Sequence, residues 1–201
     1  RVDLGTGACE IFPLPDEARL EFLGGRGLGA YFLRDYATLP CDHPDLPLIF
    51  AAGPLTGTAA PASSRCHVVS RSPLTGAVGD ASVGGRLGLE LKHAGYDALV
   101  ITGQAHNLCG IEIDDGQTRL TDASALGGLP TPEAFTRLRA HRRTGSIALT
   151  GAAAENGCRF ASIMVDTYHM AARCGLGLVA GHKRLKYLAI RGSGSVQVAE
   201  P

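Results

Sequence analysis

The stretch Ala51-Ala52-Gly53-Pro54-Leu55-Thr56-Gly57-Thr58-Ala59-Ala60-Pro61, followed by Ser63-Ser64-Arg65-Cys66-His67-Val68-Val69, decides how the chain is read. Apolar runs at Leu46–Ala52 and His67–Val69 bracket a Gly/Pro/Thr/Ser loop. That order is strand, irregular loop, strand, with Arg65 at the mouth of the second strand. A loop so poor in large side chains brings backbone N–H groups close to whatever lies above it. With an arginine beside it, the expected occupant is an anion, phosphate first. The competing reading of Arg65 is an exposed arginine at a strand end.

A weaker copy of the stretch follows later. Ile147–Thr150 runs into the small-residue loop Gly151–Asn156, and Arg159 precedes the strand-like Ala161–Val165. The segments after each copy agree better. Gly84-Gly85-Arg86-Leu87-Gly88 leads to Ala98–Gly103, and Ala171-Ala172-Arg173-Cys174-Gly175 leads to Leu185–Gly192. Each is two small residues and an arginine, a short helix, then an apolar strand ending in glycine. Arg86 and Arg173 lie 87 residues apart, and Gly103 and Gly192 lie 89 apart. We read an internal duplication of about 90 residues, too few copies for a solenoid. Two pseudo-symmetric β-rich halves, 1–103 and 104–192, would suit a ligand that itself has two similar halves.

With 201 residues, one domain with an adequate core is expected. Net charge is zero, with 19 basic and 19 acidic residues, which argues against nucleic acid as partner. No apolar run approaches the length that spans a membrane. Glycine is the outlier, at 27 residues, and there is no tryptophan. The six cysteines form no C-x-x-C pair, so neither a zinc site nor a local iron–sulfur motif is read. Scattered cysteines in a chain with a real core are expected to be reduced, which implies a cytoplasmic setting. Arg1–Leu4 already reads as a strand without an initiator methionine, so the first residues are expected to be missing.

The remaining elements follow from periodicity and turn chemistry. Arg1–Leu4 and Cys9–Pro13 read as a hairpin around Gly5-Thr6-Gly7. Asp16 is the expected cap of a helix to about Phe22. Gly24-Gly25-Arg26-Gly27-Leu28-Gly29-Ala30 opens a helix over Tyr31–Tyr36. Its glycines fit either an anion at the helix start or close helix–sheet packing. Strands are expected at Leu48–Ala52, His67–Ser70 and Ala77–Asp80. A turn is expected at Ser72–Gly76 and a small-residue loop at Ala81–Gly85. A helix over Arg86–Ala94 and a strand over Ala98–Thr102 follow. Cys109–Asp114 and Thr118–Thr121 form a hairpin across Asp115-Gly116, the sequence of a type I′ turn. Thr131 caps a helix to about His141, with Pro132 in its first turn. Thr167–Met170 reads as a loop, and Gly192–Pro201 as a tail or the start of a linker. The fold class is α+β.

Two further positions are weighed as sites. Ala171–Gly177 opens a helix with almost no bulky side chain, again favourable for an anion. Gly175-x-Gly177-x-x-Ala180 is close to a dinucleotide fingerprint, but no strand immediately precedes it and no acidic residue closes the next strand. His169 beside this loop is either a ligand contact or an ordinary loop histidine. Cys174 sits where a thiol pKa can fall, yet no base or resolving cysteine is near it in sequence. No Ser/His/Asp signature, H-E-x-x-H, Walker loop or paired-carboxylate motif is present.

Ala51–Pro61, Ser72–Gly76, Gly84–Gly85 with Glu90-Leu91-Lys92-x-Ala94-Gly95-Tyr96-Asp97-Ala98, Ile163-Met164-x-Asp166, and Ala171–Gly177 running into Lys183-x-Leu185-Lys186 resemble the N-terminal domain of the tungsten-containing aldehyde:ferredoxin oxidoreductases. The resemblance runs over the whole chain in the same order, so 1–192 would be that domain and 193–201 the tail. It implies a saddle of two β-rich halves carrying tungsten, or molybdenum, on two pyranopterins, with magnesium between the pterin phosphates. Carried over by motif position, Arg65 would clamp a phosphate. Ser82, Val83 and Gly84 would form one backbone cradle, and His169, Met170, Ala172, Arg173 and Cys174 the other. The backbone carbonyls of Ser82 and Met170 would be the magnesium ligands, and no catalytic side chain is implied here.

The family often has asparagine at Ser82, arginine at His169 and glycine at Cys174. Magnesium contacts through backbone oxygen survive such changes, whereas losing an arginine at His169 weakens phosphate pairing. The cysteines of the family's 4Fe-4S cluster and its aldehyde pocket lie in later domains. Two readings result. One is the cofactor domain of an aldehyde-oxidising enzyme, with the remaining domains or a second subunit, and ferredoxin, as partners. The other is a stand-alone, non-catalytic module, or split-enzyme subunit, that holds a pterin or another phosphorylated ligand. An isolated domain would expose surface normally covered, so a homodimer is expected.

Overall fold

The computed structural model describes residues 1–141 and 145–198. The elements run β1 Val2–Asp3, α1 Asp16–Glu21, α2 Arg26–Leu33, β2 Leu48–Ala52, β3 Cys66–Arg71, β4 Val78–Val83, α3 Leu87–His93 and β5 Ala98–Thr102. They continue β6 Cys109–Asp114, β7 Gln117–Asp122, α4 Thr131–Ala140, β8 Ser146–Thr150, α5 Ala152–Glu155, β9 Ile163–Val165, β10 His169–Ala171, α6 Leu176–His182 and β11 Leu185–Arg191. The class is mixed α+β with two sheets and short helices.

The first sheet has the order β1-β5-β2-β3-β4, and the second β10-β9-β8-β11-β6-β7. Read outward from the parallel pair, the second sheet is β6-β11-β8-β9-β10 plus the added β7. In both sheets one pair is parallel, β1 with β5 and β6 with β11. The other three pairs of each five-strand set are antiparallel. Strand order and direction are therefore the same in the two sheets.

Helices α3 and α6 lie between the sheets, each touching strands of both. Helix α2 covers the outer side of β2 and β3, and α4 covers β8. One buried cluster runs through both sheets, from Leu48, Phe50 and Val68 to Ile111, Ile163 and Leu188. Helices α5 and α6 come close because their contact faces are small. A Cβ on Gly181 would lie 2.4 Å from the Ala154 carbonyl oxygen.

Several expected elements hold with small shifts. The β6–β7 hairpin turns at Asp115 and Gly116, both with positive φ, 45° and 86°, as a type I′ turn requires. The Gly24–Ala30 stretch differs. The helix already starts at Arg26, with Gly25 at its cap position and Gly27 and Gly29 inside it. A Cβ on Gly29 would come within 2.3 Å of Val69, so close helix–sheet packing is the reading the structure carries. Asp16 and Thr131 are first-turn residues rather than caps. Prolines 15 and 130 precede the two helices, and neither helix has a side-chain cap bond.

Two expected loops are strands. Ala81–Val83 continues β4, paired with Cys66–Val68 of β3. His169–Ala171 forms β10 against Ile163–Val165. Small and polar residues accept extended backbone wherever a neighbouring strand offers a ladder, so context overrides weak propensity. Residues 152–155 of the small-residue loop after β8 form the helical turn α5. The tail lies against α3, where the Gly194 N–H donates to the His93 carbonyl at 3.1 Å. Residues 199–201 lie outside the described residues.

Charged side chains buried between the elements are satisfied locally. Lys186, fully buried, meets Glu155 at 2.5 Å. Glu90 accepts from Arg86 at 2.7 Å and from the Gly192 N–H at 3.0 Å. Lys183, also buried, donates to the carbonyls of Pro44 and Gly103 at 2.7 and 3.1 Å. Burial pulls the Lys183 ammonium down from 10.5 to about 8. The unfolded chain therefore holds this proton more tightly, and stability contributed by Lys183 rises as pH goes from 8 towards 10.5. The stability of the parent relative to Lys183→Met is expected to grow by about 2 kcal/mol between pH 8 and 10, measured by urea unfolding.

Candidate functional site

Strand β4 is the edge of the first sheet and β10 the edge of the second. The two edges meet, and a cleft of about 630 Å³ opens there. Ala62, Ser64 and Arg65 line one side and Ser82–Gly85 the floor, with Tyr168, His169 and Met170 opposite.

The loop that carries Arg65 is held by its own hydroxyls. The Thr56 Oγ1, fully buried, donates to the Ser63 carbonyl at 2.7 Å and accepts the Gly53 N–H at 3.2 Å. Ser63 Oγ donates to the Ala60 carbonyl at 2.8 Å. Thr56 is a positioning residue that the sequence reading passed over, although it stands inside the quoted stretch. Helix α3 backs the same point, since a Cβ on Gly88 would lie 3.2 Å from the Arg65 carbonyl oxygen.

At 84 and 85 the floor is glycine, and a side chain there would have to push its neighbours aside. A Cβ on Gly84 would meet the His169 ring at 3.1 Å, and one on Gly85 would meet Asp166 and His169 at 3.0 Å. Gly85 also has φ +86°, costly for any L side chain. Beside the floor, Asp80 accepts from His67 at 2.7 Å and pairs with Arg26 at 3.1 Å.

Six of the nine expected site residues thus share the cleft: Arg65, Ser82, Val83, Gly84, His169 and Met170. The other three do not line it. Ala172 and Arg173 are exposed beyond it. Cys174 turns back to β4, its thiol 3.8 Å from the Asp80 carbonyl, and its own carbonyl accepts from Ser72 at 2.9 Å. The glycines of Gly175-x-Gly177 serve packing. A Cβ on Gly175 would lie 1.9 Å from the Arg159 carbonyl oxygen and one on Gly177 2.6 Å from that of Ser162. Arg159, the counterpart of Arg65 in the second copy, is occupied elsewhere. Its guanidinium donates to the Pro73 carbonyl at 2.7 Å.

That leaves a simple electrostatic distinction. Arg26, Arg71, Arg86, Arg159 and the other described arginines each have a carboxylate or carbonyl partner. Arg65 and Arg173 have none among the described residues. Neither guanidinium is spent on holding the fold. The nearby Cys66 thiol is held protonated by contrast, since burial pushes it up to about 12.

Two mixed sheets over one core, with a backbone-lined cleft at their meeting edges, define the class as a two-sheet α+β domain. The family model for the aldehyde ferredoxin oxidoreductase N-terminal domain matches residues 1–192. The chain belongs to that family. The tungsten-containing aldehyde ferredoxin oxidoreductase of Pyrococcus furiosus is 42% identical over 206 residues, covering 100% of this chain and 34% of the relative. That of Thermococcus kodakarensis is 40% identical over the same shares. A P. furiosus aliphatic sulfonate oxidoreductase, WOR-like subunit, is 31% identical over 96% of the chain. Among solved structures, a chain of the active site complex BamBC of benzoyl coenzyme A reductase, in complex with 1,5-dienoyl-CoA, superposes with a TM-score of 0.95. It is 33% identical and covers all of this chain but 31% of its own length. This chain therefore spans about a third of the relatives it matches. No helix among the described residues is long and apolar enough to cross a membrane.

Gly85→Ala is expected to destabilise the protein by about 1–3 kcal/mol, because positive φ and a 3.0 Å contact act together. Denaturant unfolding measures it. Gly95→Ala, with positive φ but nothing within 4 Å, isolates the backbone part.

Proposed function

We propose that this chain is the cofactor-binding domain of an oxidoreductase that oxidises aldehydes to carboxylic acids, with tungsten or molybdenum on two pyranopterins and ferredoxin as electron acceptor. The observation that carries it is the pair of guanidiniums, Arg65 and Arg173, free among otherwise paired arginines beside a glycine-floored cleft. Such a cleft suits a large ligand with phosphate arms, which backbone N–H groups and arginines bind without a bulky side chain between them.

The residues fit the group. Arg65 takes one phosphate, and Ser82, Val83 and Gly84 present backbone to it. His169 and Met170 form the opposite wall, and Ala172, Arg173 and Cys174, which lie just outside the cleft, continue that cradle as the next residues of the chain. Ser82 and Met170 stand on facing edge strands. Their backbone carbonyls are the proposed magnesium ligands. When bound, the metal would supply the two-electron redox chemistry. The protein's part is to position and tune the group. His169, where arginine is common, contributes less charge.

The identical strand order of the two sheets supports reading 1–103 and 104–192 as pseudo-symmetric copies, a saddle for a cofactor with two similar halves. The relatives' names point the same way. One set names aldehyde, another sulfonate, and a third benzoyl-CoA reduction, on a shared domain. The common task is then the cofactor, and the substrate is chosen elsewhere. The 4Fe-4S cluster and the substrate pocket belong to the remaining two-thirds, as further domains or a second subunit, and we place the whole in the cytoplasm. A split-enzyme subunit, or a stand-alone pterin-binding module, is the second reading. It is favoured by relatives named as a subunit and as part of a complex.

Arg65→Ala and Arg173→Ala in the full-length protein, purified anaerobically, are each expected to lower bound metal and pterin about 10-fold or more, the loss of a charge-assisted contact. Native mass spectrometry measures this, and unchanged content in both variants would remove the assignment. Leu55, Tyr168 and Met170 are 59%, 88% and 51% exposed. The isolated domain is therefore expected to self-associate in light scattering.

A further inference from the structure

We infer that Asp166 is a positioning residue of the cleft, the side chain that locks its glycine floor to its opposite wall. The inference rests on the cofactor reading above and adds a residue outside the set that would touch the cofactor.

Asp166 begins the turn from β9 to β10, with φ +49°. Its backbone N–H donates to the Ile147 carbonyl at 3.0 Å, and its Oδ1 accepts the Ile147 N–H at 3.0 Å. The Ser146 hydroxyl donates to the same carboxylate, 2.8 Å from each of its oxygens. These contacts fix the turn to β8 of the second sheet. The other oxygen, Oδ2, reaches the first sheet and accepts the Arg86 N–H at 2.9 Å. Arg86 directly follows Gly84-Gly85, and its side chain is held by Glu90 at 2.7 Å. Three residues beyond Asp166 stands His169, whose ring lies over Gly84 and Gly85. One carboxylate therefore sets the distance between floor and wall.

The chemistry demands a carboxylate. Two backbone N–H groups, of Arg86 and Ile147, point at different oxygens. An aspartate accepts with both. An asparagine accepts with one, and its amide then faces the other N–H, donor against donor. A carboxylate beside an anion cradle is unfavourable unless its lone pairs are taken. Here three donors take them, so its charge is directed into the scaffold and away from the ligand.

The experiment compares Asp166→Asn and Ser146→Ala in the full-length protein purified from its host. Ser146→Ala removes the hydroxyl shared by the two carboxylate oxygens but leaves both backbone N–H bonds, of Ile147 and Arg86, in place. Metal is read by elemental mass spectrometry, pterin by fluorescence after oxidation, and fold by thermal unfolding. Hydrogen exchange reports the Arg86 amide. Asp166→Asn is expected to speed exchange at Arg86 and to lower metal and pterin about 10-fold. Ser146→Ala is expected to retain both at a comparable loss of Tm. Parent-like occupancy in Asp166→Asn, or losses that track Tm equally in the two variants, would overturn the inference while the cofactor reading stands. A parent protein without metal or pterin would overturn both. Asp166→Ser keeps a short acceptor for its own turn and cannot reach Arg86, so it repeats the test if the amide variant does not fold. Failure of both to fold would make Asp166 a scaffold residue only and end the proposal.

Discussion

The close approach of α3 and α6 to both sheets is the constraint on which everything else depends. Each helix is short and sits between the layers, so each must pack on two sides at once. That is possible because glycines stand where each helix meets backbone at the start of a strand, Gly88 of α3 against the Arg65 carbonyl before β3 and Gly177 of α6 against the Ser162 carbonyl before β9. With the helices this thin, the sheets share one core. Their edge strands β4 and β10 are then brought together, and the cleft is the gap that remains.

Buried charge serves the same joint. Lys183 ties the end of α6 to carbonyls at Pro44 and Gly103, and Glu90 of α3 receives the Gly192 N–H. An ammonium or carboxylate inside a protein is tolerated only where hydrogen bonds replace water. These groups therefore specify where the chain crosses from one sheet to the other. Motif residues such as Glu90, Lys183 and Lys186 are explained by this work of holding. The residues left without such a task, Arg65 and Arg173, are the ones available to a ligand.

The two similar strand orders give the domain a simple logic. Each sheet ends in an antiparallel edge whose far strand, β4 or β10, offers backbone to the cleft. On the proposed reading, substrate choice needs nothing from such a platform. Relatives named for aldehyde, sulfonate and benzoyl-CoA chemistry can share it while differing in the two-thirds of their length that lies beyond this chain.

The sequence by itself determined the mixed class, the β2–loop–β3 unit, the β6–β7 hairpin and the motifs that name the family. These are local signals: apolar runs of strand length, Asp-Gly between them, and glycine clusters. That Arg65, Ser82, Val83, Gly84, His169 and Met170 come together in one cleft was also legible, through motif position. Only the tertiary structure decided the rest. Ala81–Val83 and His169–Ala171 have weak propensity, and it took the neighbouring strands β3 and β9 to make them extended. Gly175 and Gly177 looked like an anion loop, yet each stands against a backbone carbonyl, of Arg159 and Ser162, that any side chain there would strike. Asp166 and Thr56 acquire their roles from partners 80 and 7 residues away, Arg86 and Ser63, which no local pattern can announce. Hydrogen-bond partners across a shared core are set by packing, and packing is a property of the whole chain.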